Sequence, residues 1–121
     1  MKKRKILIVE RPWGKFFQFT HNEVSTVKIL SVKANKRLSY QSHKNRDEFW
    51  RCINNSVKVI LNDVESTLNK GDEIFISKND KHRLIGLDKD AEVLEISFGN
   101  FDEEDNTRYE DDFGRKSSEV K

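Results

Sequence analysis

His43, Glu48 and His82 are the residues here whose types and spacing could do chemistry. They include two of the chain's three histidines. An imidazole, a carboxylate and a second imidazole meeting at strand ends form a face suited to a divalent metal with open coordination positions. In an extended strand, alternate residues point the same way, so Gln41, His43 and Asn45 share a face and offer two amide oxygens beside the imidazole. Glu48, Trp50 and Cys52 share a face on a second run. A metal would also offset the desolvation that polar groups suffer in an interior. The alternative reading is that His43 and His82 are independent surface or hydrogen-bonded residues. His21 lies in a polar turn and reads as plain surface.

The flanking runs are those of a β protein. Lys15 to Thr20, Val24 to Val32, Leu38 to His43, Glu48 to Ile53, Val57 to Leu61, Val64 to Leu68, Glu73 to Ser77, His82 to Ile85 and Glu92 to Phe98 read as strands. Polar turns separate them, and no helical apolar period precedes residue 100. Regularly spaced short strands indicate an antiparallel sandwich or barrel. Ile6 to Val9 reads as an edge strand or an arm, and Trp13, in the turn with Pro12 and Gly14, as an anchor for it. Val27, Ile29, Leu38, Val57, Val59, Leu61, Ile74, Ile76, Leu94 and Ile96 are the expected core. The tail from Gly99 is polar, but Phe101, Tyr109 and Phe113 suggest that it packs on the barrel.

With 121 residues there is room for one hydrophobic core. Hydrophobic content of 35% against 36% charged could suggest disorder, but eight Phe, two Trp and two Tyr supply a core. A net charge of +2 from interspersed signs argues against a nucleic-acid binder. The single cysteine, Cys52, excludes an intrachain disulfide and is expected to be a buried, inert thiol. No run reaches the ~18 apolar residues of a membrane span, and a cytoplasmic location is expected. Residues 1–8 are expected to be a basic arm, 9–115 one domain with a polar extension from about 99, and 116–121 a loose tail.

Four separated motifs occur in order: Val9-Glu10-Arg11-Pro12-Trp13-Gly14; Arg37-Leu38-Ser39-Tyr40-Gln41-Ser42-His43 with Arg46, Glu48 and Trp50; Gly71-Asp72 and Ile76 with Lys81-His82-Arg83; and Arg108-Tyr109-Glu110-Asp111-Asp112-Phe113-Gly114-Arg115. Together they resemble the cupin domain of type II mannose-6-phosphate isomerases, which often forms the C-terminal part of bifunctional mannose-1-phosphate guanylyltransferase/phosphomannose isomerases. The resemblance implies an all-β double-stranded β-helix, the cupin jelly-roll barrel.

It also implies one divalent ion, with zinc expected and Co, Mn, Fe or Ni as alternatives. His43, Glu48 and His82 would be its ligands. The family's second histidine is Asn45 here, and Gln41 is a replacement oxygen donor. Family glycines are replaced at Asn35, Asn55 and Asn79, where asparagine tolerates positive φ. The implied reaction interconverts mannose 6-phosphate and fructose 6-phosphate through an enediol. Arg37, Arg46, Arg83 and Arg115 are candidates for the phosphate, with Arg115 favoured as a catalytic residue by the terminal motif. Glu110 or a water activated at the centre is the candidate base, and Trp50 either a sugar-facing wall or a core aromatic.

Two other readings stand beside this one: an epimerase or isomerase of another sugar or nucleotide sugar on the same barrel, and a non-catalytic module binding sugar or metal. The expected partners are a sugar phosphate, a second copy in a homodimer, and a separate guanylyltransferase chain.

Overall fold

The computed structural model describes residues 6–115. The basic opening and the tail after Arg115 lie outside them. Eleven strands and no helix make up the described residues: β1 (Leu7–Arg11), β2 (Gly14–Gln18), β3 (Ser25–Val32), β4 (Tyr40–Ser42), β5 (Asp47–Cys52), β6 (Val57–Leu61), β7 (Val64–Leu68), β8 (Glu73–Ile76), β9 (His82–Gly86), β10 (Ala91–Phe98) and β11 (Thr107–Glu110). β1 and β2 form a hairpin around Pro12 and Trp13. A four-stranded sheet runs β3-β10-β5-β8 and a five-stranded sheet runs β11-β4-β9-β6-β7. Every pairing is antiparallel.

One core fills the space between the two sheets. Val32, Trp50, Cys52, Ile76 and Val93 from the four-stranded sheet meet Val57, Val59, Leu68 and Leu84 from the five-stranded one. A smaller cluster of Phe49, Ile96 and Phe98 lies on the outer face of the four-stranded sheet, covered by Ile6, Phe19, Phe75 and Leu94. That sheet is therefore apolar on both faces, and alternation alone cannot tell which face is inside.

Register resolves it. Lys28, Glu95, Trp50 and Ile74 form one inward row across the sheet, and Thr26, Ser97, Glu48 and Ile76 the next. Val27 and Ile29, expected in the core, therefore point outward and are exposed. Leu94 and Ile96 belong to the outer cluster, not the barrel interior. Trp13, expected as an anchor, is 72% exposed at the hairpin tip.

The turns follow local chemistry. Asn35 and Asn79 adopt φ of 61° and 69°, as expected for asparagines in glycine places. Asn55 does not; its amide instead donates to the Asp90 carbonyl at 2.8 Å. Gly86 is obligatory for another reason: a Cβ there would run into the Lys33 carbonyl as the 33–36 turn crosses between the sheets.

Candidate metal centre

β5 brings Glu48 into the interior at its start, β9 opens with His82, and His43 follows β4 directly. All three are buried, and their ligand atoms lie within 4.8 Å of one another. His43 Nδ1 donates to the Asp105 carbonyl at 2.7 Å, and His82 Nδ1 donates to the Asp80 carbonyl at 2.9 Å. A carbonyl only accepts, so each Nδ1 carries the proton and each Nε2 presents its lone pair inward. Burial lowers the proton affinity of both imidazoles, His43 to about 4, so both are neutral at pH 7. Burial opposes the charge of Glu48, but the carboxyl is held below its usual range; with both imidazoles neutral, the Arg46 guanidinium hydrogen-bonded to it is the charge that keeps it ionised at pH 7.

The donor set fits a cation. Glu48 Oε1 and His82 Nε2 face each other at 3.5 Å, and both are buried without a hydrogen-bond partner. Two acceptors pointing at each other in a dry interior carry an unpaid desolvation cost unless a positive group joins them. Neutral imidazoles and an ionised carboxylate are the protonation states a divalent metal needs.

The remaining residues expected at the site are placed unevenly. Gln41 lies opposite His82 in the register, and its Oε1 accepts from Asn106 Nδ2 at 2.8 Å. Asn45 is exposed and joins the network through its backbone N–H, which donates to Asp105; the loop after β4 has already turned away. Arg46 is buried in the cluster, with Nε donating to Glu48 at 2.9 Å and Nη2 to His43 Nε2 at 3.2 Å. Trp50 is 1% exposed, too buried to offer a sugar-facing wall. It packs edge-on to His82 at 5.5 Å and donates Nε1–H to Glu95 at 3.1 Å.

The other arginines lie elsewhere. Arg83 alternates with inward His82 and Leu84, so it points to the outer face, where it donates to the Leu38 carbonyl and to Glu110. Glu110, the candidate base, is thus an outer-face partner of Arg83. Arg37 is paired with Asp112 at 2.7 Å and Arg115 with Asp111 at 3.0 Å. Both line a surface groove of about 350 Å³ with Val32, Lys36 and Phe113. Val32 pairs with Ala91 while Glu48 pairs with Ser97, which separates groove and cluster by roughly 20 Å along β10 at ~3.3 Å per residue.

Sequence reasoning missed three inward residues. Glu95 is 7% exposed, and burial, reinforced by Glu48, raises its carboxyl to about 7. Lys28 shares its row. Arg108 lies opposite Gln41, which lies opposite His82. The parity of β3 and β10 hid the first two. Recognising Thr107-Arg108-Tyr109 as a strand would have separated Arg108 from its outward neighbour.

Residues 2–111 match the family model described as mannose-6-phosphate isomerase C-terminal. The chain is 33% identical over 109 residues to the mannose-1-phosphate guanylyltransferase ManC of Salmonella typhimurium, covering 88% of this chain and 23% of that protein. It is 32% identical over 109 residues to the alginate biosynthesis protein AlgA of Pseudomonas aeruginosa, with the same coverage of 88% and 23%. The chain thus spans about a quarter of the length of these curated relatives. Among solved structures, the capsular polysaccharide assembling protein CapF of Staphylococcus aureus aligns with a TM-score of 0.66 at 17% identity, over 89% of this chain and 35% of that one. A sugar phosphate isomerase of the cupin superfamily from Silicibacter pomeroyi aligns with a TM-score of 0.59 at 15% identity, over 63% and 51%. The fold is the cupin barrel, and by the match across nearly its whole length this chain belongs to the mannose-6-phosphate isomerase C-terminal family.

Proposed function

We propose that this chain is a sugar-phosphate isomerase that interconverts mannose 6-phosphate and fructose 6-phosphate, with one divalent ion, zinc by preference, held by His43, Glu48 and His82. The observation that carries the reading is the buried pair of facing acceptors, Glu48 Oε1 and His82 Nε2, beside an imidazole of the same tautomer. The bound ion would supply electrophilic stabilisation of negative charge developing on the sugar oxygens.

The chain's own residues divide the remaining work. Asp105 and Asp80 carbonyls fix both imidazoles and so hold the Nε2 lone pairs inward. Trp50 packs against His82 and steadies Glu95. Glu95 is the carboxylate suited to carry a proton between neighbouring carbons, because a carboxyl raised to about 7 can both take and return one near neutral pH. Lys28 and Arg108, on inward rows, supply positive charge for the phosphate in place of Arg37, Arg83 and Arg115. The expected homodimer is part of this proposal. It is supported by Val24, Val27 and Ile29, exposed on or beside the edge strand β3.

The test is an assay of the two hexose phosphates with purified protein, chelated and then given Zn²⁺, Co²⁺ or Mn²⁺, with His82→Ala as control. Metal-dependent turnover absent from the variant is the expected result. A folded, metal-loaded protein with no turnover would sink this substrate pair.

A further inference from the structure

Arg46 is a second cation inside the ligand cluster. Its Nε donates to Glu48 Oε2 at 2.9 Å, and its Nη2 donates to His43 Nε2 at 3.2 Å. Because His43 Nδ1 carries the ring proton, Nε2 has a single lone pair. That lone pair can accept the Arg46 N–H or bind a metal, but not both. A guanidinium stays protonated at any working pH, so the arginine cannot yield by losing its charge. The cluster therefore has two halves. In one, Arg46 joins His43 to Glu48; in the other, Glu48 Oε1 and His82 Nε2 face each other without a donor.

Arg46 is also held from the opposite side. Its Nη1 donates to the Asp102 carbonyl at 3.1 Å, and the guanidinium lies 4.4 Å from the Phe101 ring centroid. Lys28 sits on the same ring at 4.1 Å and pairs with Glu103 at 2.8 Å. Asp105 then receives Lys44 N–H, Asn45 N–H and His43 Nδ1–H. Residues 101–106 thus form a strap across the cluster, and Arg46 touches both the strap and the metal ligands.

We propose that Arg46 is a competing resident cation: three-ligand metal binding requires its release from His43, and that release is coupled to loosening of the 101–106 strap. This rests on the reading of His43, Glu48 and His82 as metal ligands. Linkage makes the coupling reciprocal: the contacts of Arg46 with Phe101 and Asp102 weaken metal binding, and metal binding loosens that end of the strap, while the Asp105 carbonyl stays on His43. Like charge adds to the competition, since Arg46 sits on Glu48 Oε2 while a divalent ion would sit on the neighbouring Oε1.

The experiment is a calorimetric titration of the chelated protein with Zn²⁺, in wild type, Arg46→Gln and Arg46→Lys, with hydrogen exchange of residues 101–106 recorded with and without metal. Arg46→Gln should bind Zn²⁺ at least ten-fold more tightly than wild type. Arg46→Lys should fall between them, because an ammonium cannot fork across both acceptors. Zn²⁺ should speed exchange of the strap in wild type and change it little in Arg46→Gln. If Arg46→Lys, which keeps the charge needed for folding, binds no more tightly than wild type, the competition is overturned while the metal reading stands. If wild type and both variants fail to bind while folded, both fall.

Discussion

The interior cluster and the outer arginines were marked by motifs of equal prominence, yet the structure treats them oppositely. Outside, Arg37, Arg83 and Arg115 each have an acid matched to them, Asp112, Glu110 and Asp111, and those acids are 41%, 63% and 4% exposed as side chains. Inside, acceptors outnumber donors, and two of them have no partner at all. Matched charge near solvent is a way to tie the C-terminal extension down. Unmatched buried acceptors are costly, and this donor set could hold a cation that offsets the cost. The difference lies in satisfaction, not in residue type.

The comparison can be broken most forcefully at Glu48. Glu48→Gln should lower Zn²⁺ affinity by more than ~100-fold, above the usual 10–100-fold of outer-shell changes. Without metal it should also cost about 3–5 kcal/mol, because Arg46 loses its buried anion. Calorimetric titration and urea denaturation read these two effects. Arg83→Met tests the outer region at its most buried point. Loss of its bonds to Leu38 and Glu110 should cost about 1.5–3 kcal/mol and leave Zn²⁺ affinity within about two-fold.

pH sharpens the contrast within the interior. His43, lowered to about 4 by burial, holds fewer protons folded than unfolded, so its contribution is complete above pH 6.5 and is lost as pH falls towards 4. Glu95, raised to about 7 by burial, holds more protons folded, so its contribution is complete below pH 4.5 and is lost as pH rises to 7. The two therefore oppose each other. Glu95→Gln should gain stability relative to wild type as pH rises from 4.5 to 7, by at most about 1.4 kcal/mol per unit. Chelated samples unfolded in urea at pH 5, 6 and 7 would show it; a constant difference would remove Glu95 from this role.

The smallest effect belongs to Arg115→Ala. Arg115 lowers the Asp111 carboxyl to about 2 by hydrogen bonding, but its own side chain is 50% exposed. A half-exposed pair of this kind is worth about 0.2–1 kcal/mol. Metal affinity should not change.

Much of this was legible in the residues. Short strands and polar turns gave the all-β class, and His43, Glu48 and His82 stood out because so few imidazoles exist. Parity was not legible in β3 and β10. Both faces of that sheet carry hydrophobes, one for the barrel and one for the Phe49, Ile96 and Phe98 cluster. Glu95 then points inward to Trp50, while Lys28, in the same row, reaches the rim and pairs with Glu103 over Phe101. The arginines misled because a motif records proximity along the chain, whereas alternation in β9 sends His82 in and Arg83 out.

The most direct test of the interior reading is a Co²⁺ titration of the chelated chain followed by visible absorption, with His82→Ala alongside. One saturating equivalent per chain, giving ligand-field bands that the folded variant lacks, is the predicted result. A folded wild-type chain with no saturable Co²⁺ binding, or one whose bands survive His82→Ala, would contradict it.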